Sequence, residues 1–343
     1  MMKAAVLQQF GQPLALADVA VPTPAADEVL LQTQACGIDG TDLKLCAGFG
    51  YTPQLPFIMG HEIAGIVRAV GSGVTDFAPG DRVIVYNFLF CGRCVYCLTQ
   101  REQLCLNMRG VMGVLQRHGG YAEYVAVPAQ QLVPIPPSVA WEDAAVCCDA
   151  LLTAIHALER SRLRLGETVI VIGVGGVGSV LVQLARLAGA QVIAVDHDAR
   201  RADWAAENGA HVFVDSSAEP DLAQKLRALT DGLGAACVID VVGKQATMHA
   251  AFNSLQRAGR LVIVGYTPDH FPVPGKQLAQ NELEIIGTRA GRRSDLSAAL
   301  NLLAAGQLKS IVRYRYPLAA VNEALAHLRA GGALGRIVLT YHA

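Results

Sequence analysis

The sequence has almost no surplus charge: 28 Lys and Arg stand against 29 Asp and Glu, for a formal net charge of −1. No basic block occurs, so nothing in it suggests a nucleic acid or an anionic membrane surface as partner. Charged residues make up only 17% and hydrophobic ones 52%, which excludes a disordered chain. A membrane span is missing too. The longest uncharged apolar stretch, Thr168 to Ala185, is broken by Gly173, Gly175, Gly176 and Gly178 and includes Gln183. It reads as a strand, a tight turn and a helix. The opening Met-Met-Lys-Ala-Ala-Val starts an alternating strand pattern and lacks the features of a signal peptide, so a cytoplasmic location is expected. There is no internal repeat and no low-complexity segment. What is present is length and cysteine. The 343 residues exceed one ordinary core and suit two domains. Nine cysteines, an odd number without a secretion signal, argue against a disulfide framework and for metal or catalytic use.

The first 150 residues read as short strands with Gly/Pro punctuation, such as Glu28 to Gln34, Ile63 to Val70 and Arg82 to Tyr86, with turns at Gly71-Ser72 and Pro79-Gly80. From Glu167 strand-like runs (Val169 to Ile172, Val192 to Val195, Val238 to Val241, Leu261 to Val264) alternate with helix-like segments (Ser179 to Ala188, Ala199 to Asn208, Asp221 to Leu229). Such alternation predicts βαβ units and a doubly wound parallel sheet. After Gly287 the spacing predicts helices over Ser294 to Ala305 and Leu318 to Ala330 and a last strand, Arg336 to Thr340.

Gly173-Val174-Gly175-Gly176-Val177-Gly178 follows a strand and opens a helix. Glycine lets the backbone turn sharply and approach a pyrophosphate, and the helix N-terminus supplies N–H groups and a positive dipole. The next strand ends at Asp196, where a carboxylate would bind the adenosine ribose hydroxyls and repel a 2′-phosphate. NAD is favoured over NADP, although Arg200 and Arg201 pull the other way. Arg201 and Gly265 are further cofactor-binding candidates. A glycine turn kept for helix–sheet packing, or a flavin or S-adenosylmethionine site, are the alternatives.

Cys91, Cys94, Cys97 and Cys105 follow the spacing C-x2-C-x2-C-x7-C. Two-residue gaps let successive thiolates turn onto one ion, and the fourth closes a tetrahedron. Four thiolates leave no open position, so this is expected to be a structural zinc lobe, residues 88–108. The last gap does not match ferredoxin spacings, and no Pro follows Cys105.

These residues resemble the zinc-dependent medium-chain alcohol dehydrogenase family, over nearly the whole chain. Cys36-Gly37-Ile38-Asp39-Gly40-Thr41-Asp42 resembles its early "CGICGTD" segment, Gly60-His61-Glu62 its "GHE", Pro79-Gly80-Asp81-Arg82-Val83 its "PGDRV", and Gly119-Gly120-Tyr121-Ala122-Glu123-Tyr124 its "GGFAEY". The four-cysteine lobe and the late Gly335-Arg336 match as well, and the resemblance implies that Arg336 meets the cofactor pyrophosphate. It implies a GroES-like β-rich catalytic domain, residues 1–150 and 289–343, around a Rossmann NAD-binding domain, residues 151–288. It also implies a catalytic metal. Aligned on Gly40-Thr41-Asp42, Asp39 stands where the family has its cysteine ligand. The 22-residue step from Asp39 to His61 fits, and Thr41 stands where the family has its relay hydroxyl. Cys36 stays open as the alternative, since a thiolate is the better zinc ligand. Asp149, with Thr153 and His156, resembles a D-x3-T-x2-H pattern of bacterial secondary-alcohol dehydrogenases and is the third expected ligand, with Cys148 as the adjacent alternative. Thr153 would lie beside the nicotinamide.

The implied catalytic site is therefore Asp39, His61 and Asp149, with Glu62 in reach. Oxygen ligands shift preference away from zinc, which leaves weaker zinc, another divalent ion or an empty site open. Lys44 holds the family's proton-relay histidine position and is read as either a relay or a solvated surface lysine. The implied function is an NAD-dependent alcohol dehydrogenase acting on a secondary alcohol or polyol. Its alternatives are a zinc-free reductase of an activated C=C or carbonyl, and a cofactor-binding protein without turnover. The resemblance also implies a small-molecule substrate and a homodimer or homotetramer joined near Leu283 to Gly287.

Overall fold

The computed structural model describes residues 1–341 and separates into two compact units. The first comprises Met1–Asp149, Arg292–Gly306 and Ser310–Ala343; the second comprises Ala150–Gly291 and Gln307–Lys309.

The first unit is built on a seven-stranded sheet. Along it lie Leu132–Pro134, Arg82–Val85, Glu62–Val70, Glu28–Ile38, Arg336–Thr340 and Val312–Pro317, and Tyr124–Pro128 also pairs with Glu28–Ile38. The long strand Glu28–Ile38 is central. Its end places Gly37 opposite Glu62 on one side and opposite Val338 on the other. Residues far apart in sequence, Asp39, Glu62 and Arg336, are thus delivered to one end of one sheet. A smaller three-stranded sheet joins Ala15–Val19, Met2–Leu7 and Phe57–Ile58.

The second unit is a six-stranded parallel sheet in the order Val212–Asp215, Gln191–Asp196, Thr168–Ile172, Ala235–Asp240, Leu255–Ile263, Glu284–Gly287. Numbered within the unit, that order is 3-2-1-4-5-6, the doubly wound dinucleotide-binding arrangement. Ile170, Val195, Val238 and Leu261 are fully buried, which explains why these strands read as continuous apolar runs. Among the described residues no helix is long and apolar enough to cross a membrane.

Several predicted boundaries move. The segment from Ala199 begins as a 3-10 turn, Ala199–Arg201, before the α-helix Ala202–Glu207. The C-terminal helix is likewise preceded by a 3-10 turn, Leu318–Ala320, and runs Val321–Arg329. Strand Val312–Pro317, unread in the sequence, alternates Val312, Tyr314 and Tyr316 with the exposed Arg313 and Arg315. Between helices Trp141–Val146 and Leu152–Ser161 lies a π-helical turn, Cys147–Leu151. Such turns re-aim one side chain from a continuous helix, and this one carries Asp149.

Candidate active site and metal centres

Asp39 ends the central strand and caps the helix Gly40–Cys46. Its Oδ1 accepts the N–H groups of Thr41 at 2.8 Å and Asp42 at 3.4 Å, and its Oδ2 accepts the Thr41 hydroxyl at 3.3 Å. Asp42 reciprocates, its Oδ2 accepting the Asp39 N–H at 2.9 Å. This is a capping box that also fixes the direction of the Asp39 carboxylate. His61 brings Nε2 to 3.8 Å from Asp39 Oδ1, and its Nδ1 lies 3.8 Å from Asp42 Oδ1; these are ion-pair separations, longer than hydrogen bonds. Single donor atoms of Asp39, His61 and Asp149 all lie within 4.8 Å of one another. Arg336 donates to Glu62 Oε1, and both are buried, at 6% and 0% exposure. Gly37 must be glycine here: a Cβ on it would meet Glu62 Oε2 at 1.6 Å.

The electrostatics follow from burial. Burial alone would lower the His61 pKa, but the carboxylates of Asp39, Asp42 and Asp149 raise it to about 10. Burial pushes Glu62 up to about 8, against the opposing pull of Arg336. Burial and the neighbouring Asp39 raise Asp149. In Asp39 burial is outweighed by His61 and Arg336 and by its backbone hydrogen bonds, and its pKa falls. The Asp39 and Asp149 carboxylates converge on the one imidazole of His61 in a buried site, where a cation would relieve their mutual repulsion. Among the described residues His61 Nδ1 and Glu62 Oε2 have no hydrogen-bond partner. The donor set of one nitrogen and two oxygens suits a divalent ion, zinc included, and Glu62, held by Arg336, is not among the three that converge.

Neither cysteine alternative enters this cluster. Cys36 is fully buried, and its Sγ lies 2.9 Å from the Cβ positions that Gly60 and Gly120 would have. The Cys148 thiol donates to the Ile63 carbonyl at 3.6 Å. Thr41 is beside Asp39, and Lys44 is half-buried on the same helix. Asp42 was missed in the sequence. It is fully buried behind His61, and its signal was the acidic residue three places after an Asp cap.

In the lobe, Sγ atoms lie 3.5 Å apart for Cys94 and Cys97, and 3.9 Å apart for Cys91–Cys97 and Cys94–Cys105. Tetrahedral thiolates on zinc are separated by about 3.8 Å, so these four fit that ion.

In the second unit the glycine loop turns at Gly173, whose φ is +94°. A Cβ on Gly178 would meet the Gly173 carbonyl at 1.8 Å, whereas one on Gly175 would meet nothing within 4 Å. Gly175 caps the helix Gly176–Leu187, which begins with Gly176, Val177 and Gly178. The Val174 N–H donates to Asp196 Oδ2 at 2.8 Å, tying loop and carboxylate together. Gly265 packs against the Val242 backbone. Thr153 is buried with its hydroxyl unpartnered.

Comparison with known proteins decides the lineage. Residues 25–137 match the alcohol dehydrogenase GroES-like domain, and residues 176–305 match the zinc-binding dehydrogenase family. An alcohol dehydrogenase of Geobacillus stearothermophilus is 37% identical over 340 residues, covering 98% of this chain and 99% of that protein. The chain belongs to the zinc-dependent medium-chain alcohol dehydrogenases. An NAD-dependent alcohol dehydrogenase of Sulfurisphaera tokodaii is 32% identical, over 98% of this chain and 99% of that one. A solved structure from Sinorhizobium meliloti 1021, bound to NADP, superposes with a TM-score of 0.91 at 32% identity and 99% coverage of both chains. This medium-chain dehydrogenase thus has relatives described with each nicotinamide cofactor.

Proposed function

We propose that the chain oxidises a small secondary alcohol or polyol to its carbonyl compound, passing hydride to NAD and a proton to solvent, and catalyses the reverse reduction. The observation that carries this reading is the convergence of Asp39, His61 and Asp149 within 4.8 Å. A divalent ion held there, with zinc the first choice, supplies Lewis acidity toward the substrate oxygen. The protein's own groups do the rest. Asp42 Oδ1 faces the Nδ1 side of His61 at 3.8 Å and favours the charged imidazole. Arg336 donates to Glu62 Oε1 and holds that carboxylate in place. The Thr41 hydroxyl, which rests on Asp39 Oδ2 at 3.3 Å, would turn from it to take the alcohol proton and release its own hydrogen toward solvent. Lys44, three residues further along the same helix, is assigned as the next group for that proton. Asp196 receives the adenosine ribose, the loop of Gly173, Gly175, Gly176, Val177 and Gly178 the pyrophosphate, and Thr153 the nicotinamide. Cys91, Cys94, Cys97 and Cys105 hold a structural zinc. The working form is a homodimer or homotetramer.

Metal content and turnover test this together. The purified protein should carry one ion for each of the two clusters and form NADH from a panel of secondary alcohols and polyols. Asp39→Asn should retain only the cysteine-bound ion and lose turnover by about a hundredfold or more, the scale seen when one preorganised electrostatic group is removed. Full metal content in that variant would remove Asp39 from the ligand set; activity on enones but not alcohols would overturn the reaction.

A further inference from the structure

The second strand of the parallel sheet ends in Asp196-His197-Asp198-Ala199-Arg200-Arg201. An arginine beside the ribose-binding carboxylate is what ordinarily accommodates a 2′-phosphate, and here there are two. Their geometry removes them from that task. Asp198 caps the 3-10 turn Ala199–Arg201 and accepts the Arg200 N–H at 3.1 Å. The Arg200 guanidinium returns onto it two-pronged, Nε to Oδ1 and Nη2 to Oδ2, both at 2.8 Å. Arg201 lies between the carboxylates: its Nε is 3.5 Å from Asp196 Oδ1 and 3.9 Å from Asp198 Oδ2, and its Nη1 donates to the Val174 carbonyl at 3.2 Å. The backbone cap fixes Asp198, whose side chain is 14% exposed against 69% for Arg200.

We propose that Asp198 is a cofactor-specificity residue: it ties Arg200 back and adds a second negative charge beside Asp196, so that NADP is refused. The inference rests on the NAD reading above. Arg200 is exposed, and an ion pair to an exposed arginine contributes little to folding. A dianionic 2′-phosphate must displace one carboxylate from Arg200 while facing both, and negative elements of this kind create selectivity. The Arg200 side chain holds the Asp198 carboxyl down to about 2, so the opposing charge is present at every working pH.

The test is titration of the full-length protein with NADH and NADPH, reading the ratio of the two Kd values. Asp198→Asn keeps a capping oxygen but loses the charge and the two-pronged hold. It should shift the ratio toward NADPH by about tenfold, equivalent to about 1.4 kcal/mol. Adding Arg200→Ala should remove the part of the gain that the freed guanidinium supplies and leave only the part that comes from the lost Asp198 charge. An unchanged ratio in Asp198→Asn, or a double variant that keeps the full gain of the single one, overturns the proposal. Should Asp198→Asn not fold, Asp198→Ser, which keeps a capping hydroxyl, carries the same expectation. Wild-type protein that binds NADPH as tightly as NADH would defeat the NAD reading itself, and this inference with it. NADH preference in the wild type with no response in the variants defeats the inference alone.

Discussion

Asp39 illustrates how one side chain carries two physical roles that a substitution usually confounds. Its Oδ1 caps a helix, and the same carboxylate faces His61 and Asp149. A cysteine at this position would be a poor cap, because sulfur is a weak acceptor; the aspartate therefore stabilises the helix start while supplying a harder donor. Two variants separate the roles. Asp39→Asn and Asp39→Ala both remove the charge, but only asparagine keeps a capping oxygen. Stripped of metal, the Ala variant should be less stable than the Asn variant by about 1 kcal/mol, visible as a lower denaturation midpoint at unchanged slope, while both lose the same ion. Equal midpoints would mean that the capping bonds contribute nothing. The positional reading of Asp39 came from spacing. Its capping bonds were not read, although the D-x-x-D start of the helix carried their signal.

At the scale of elements, motifs that are local in sequence were legible and those assembled from a distance were not. The glycine loop and the four-cysteine lobe lie within short spans, so their residue spacing already contains their geometry. The pairing of Glu62 with Arg336 depends on both flanking the central strand Glu28–Ile38, and no local pattern encodes that register. The π-helical turn under Asp149 was invisible because Cys147 to Leu151 has ordinary helical composition. The lobe itself makes a prediction. In the closed lobe backbone N–H groups, that of Arg93 first, bring the Cys91 thiol down to about 6 and that of Cys97 lowers Cys94, while burial and the neighbouring thiols push Cys97 up to about 12; outside the lobe burial holds Cys46 at about 11 and Cys237 at about 12. Thiolate is the reactive form. Of nine cysteines, a thiol reagent at pH 7 to 8 should reach none quickly in the metal-loaded protein. After a chelator opens the lobe it should reach four, and the other five only after unfolding. A chelator that leaves the fast count at zero, or raises it above four, would contradict a metal held by these four thiols.

For the molecule as a whole, the alternation of strands and helices was readable because a parallel sheet covered on both faces demands continuous apolar strands. Assembly was readable only through resemblance, yet the fold gives it a physical basis. Strand Glu284–Gly287 terminates the six-stranded sheet, paired on one side by Leu255–Ile263 and open on the other. Ile285 on it is 37% exposed. An open edge with apolar side chains is a template for another strand, and proteins that leave one bare usually charge it. Here Glu284 is the one charged residue on the strand, and its carboxylate is already paired with Arg162. Continuing the sheet into a second copy would satisfy the backbone groups and cover Ile285 with its own symmetry mate, as a two-fold interface requires. Sedimentation should therefore give the wild type twice or four times the chain mass. Ile285→Lys, which places like charges on opposite sides of the axis, should shift it toward smaller species while NADH binding, read by fluorescence, persists. A variant that keeps the wild-type mass would move the interface away from this edge and leave the Glu284–Gly287 strand without a partner of its own kind.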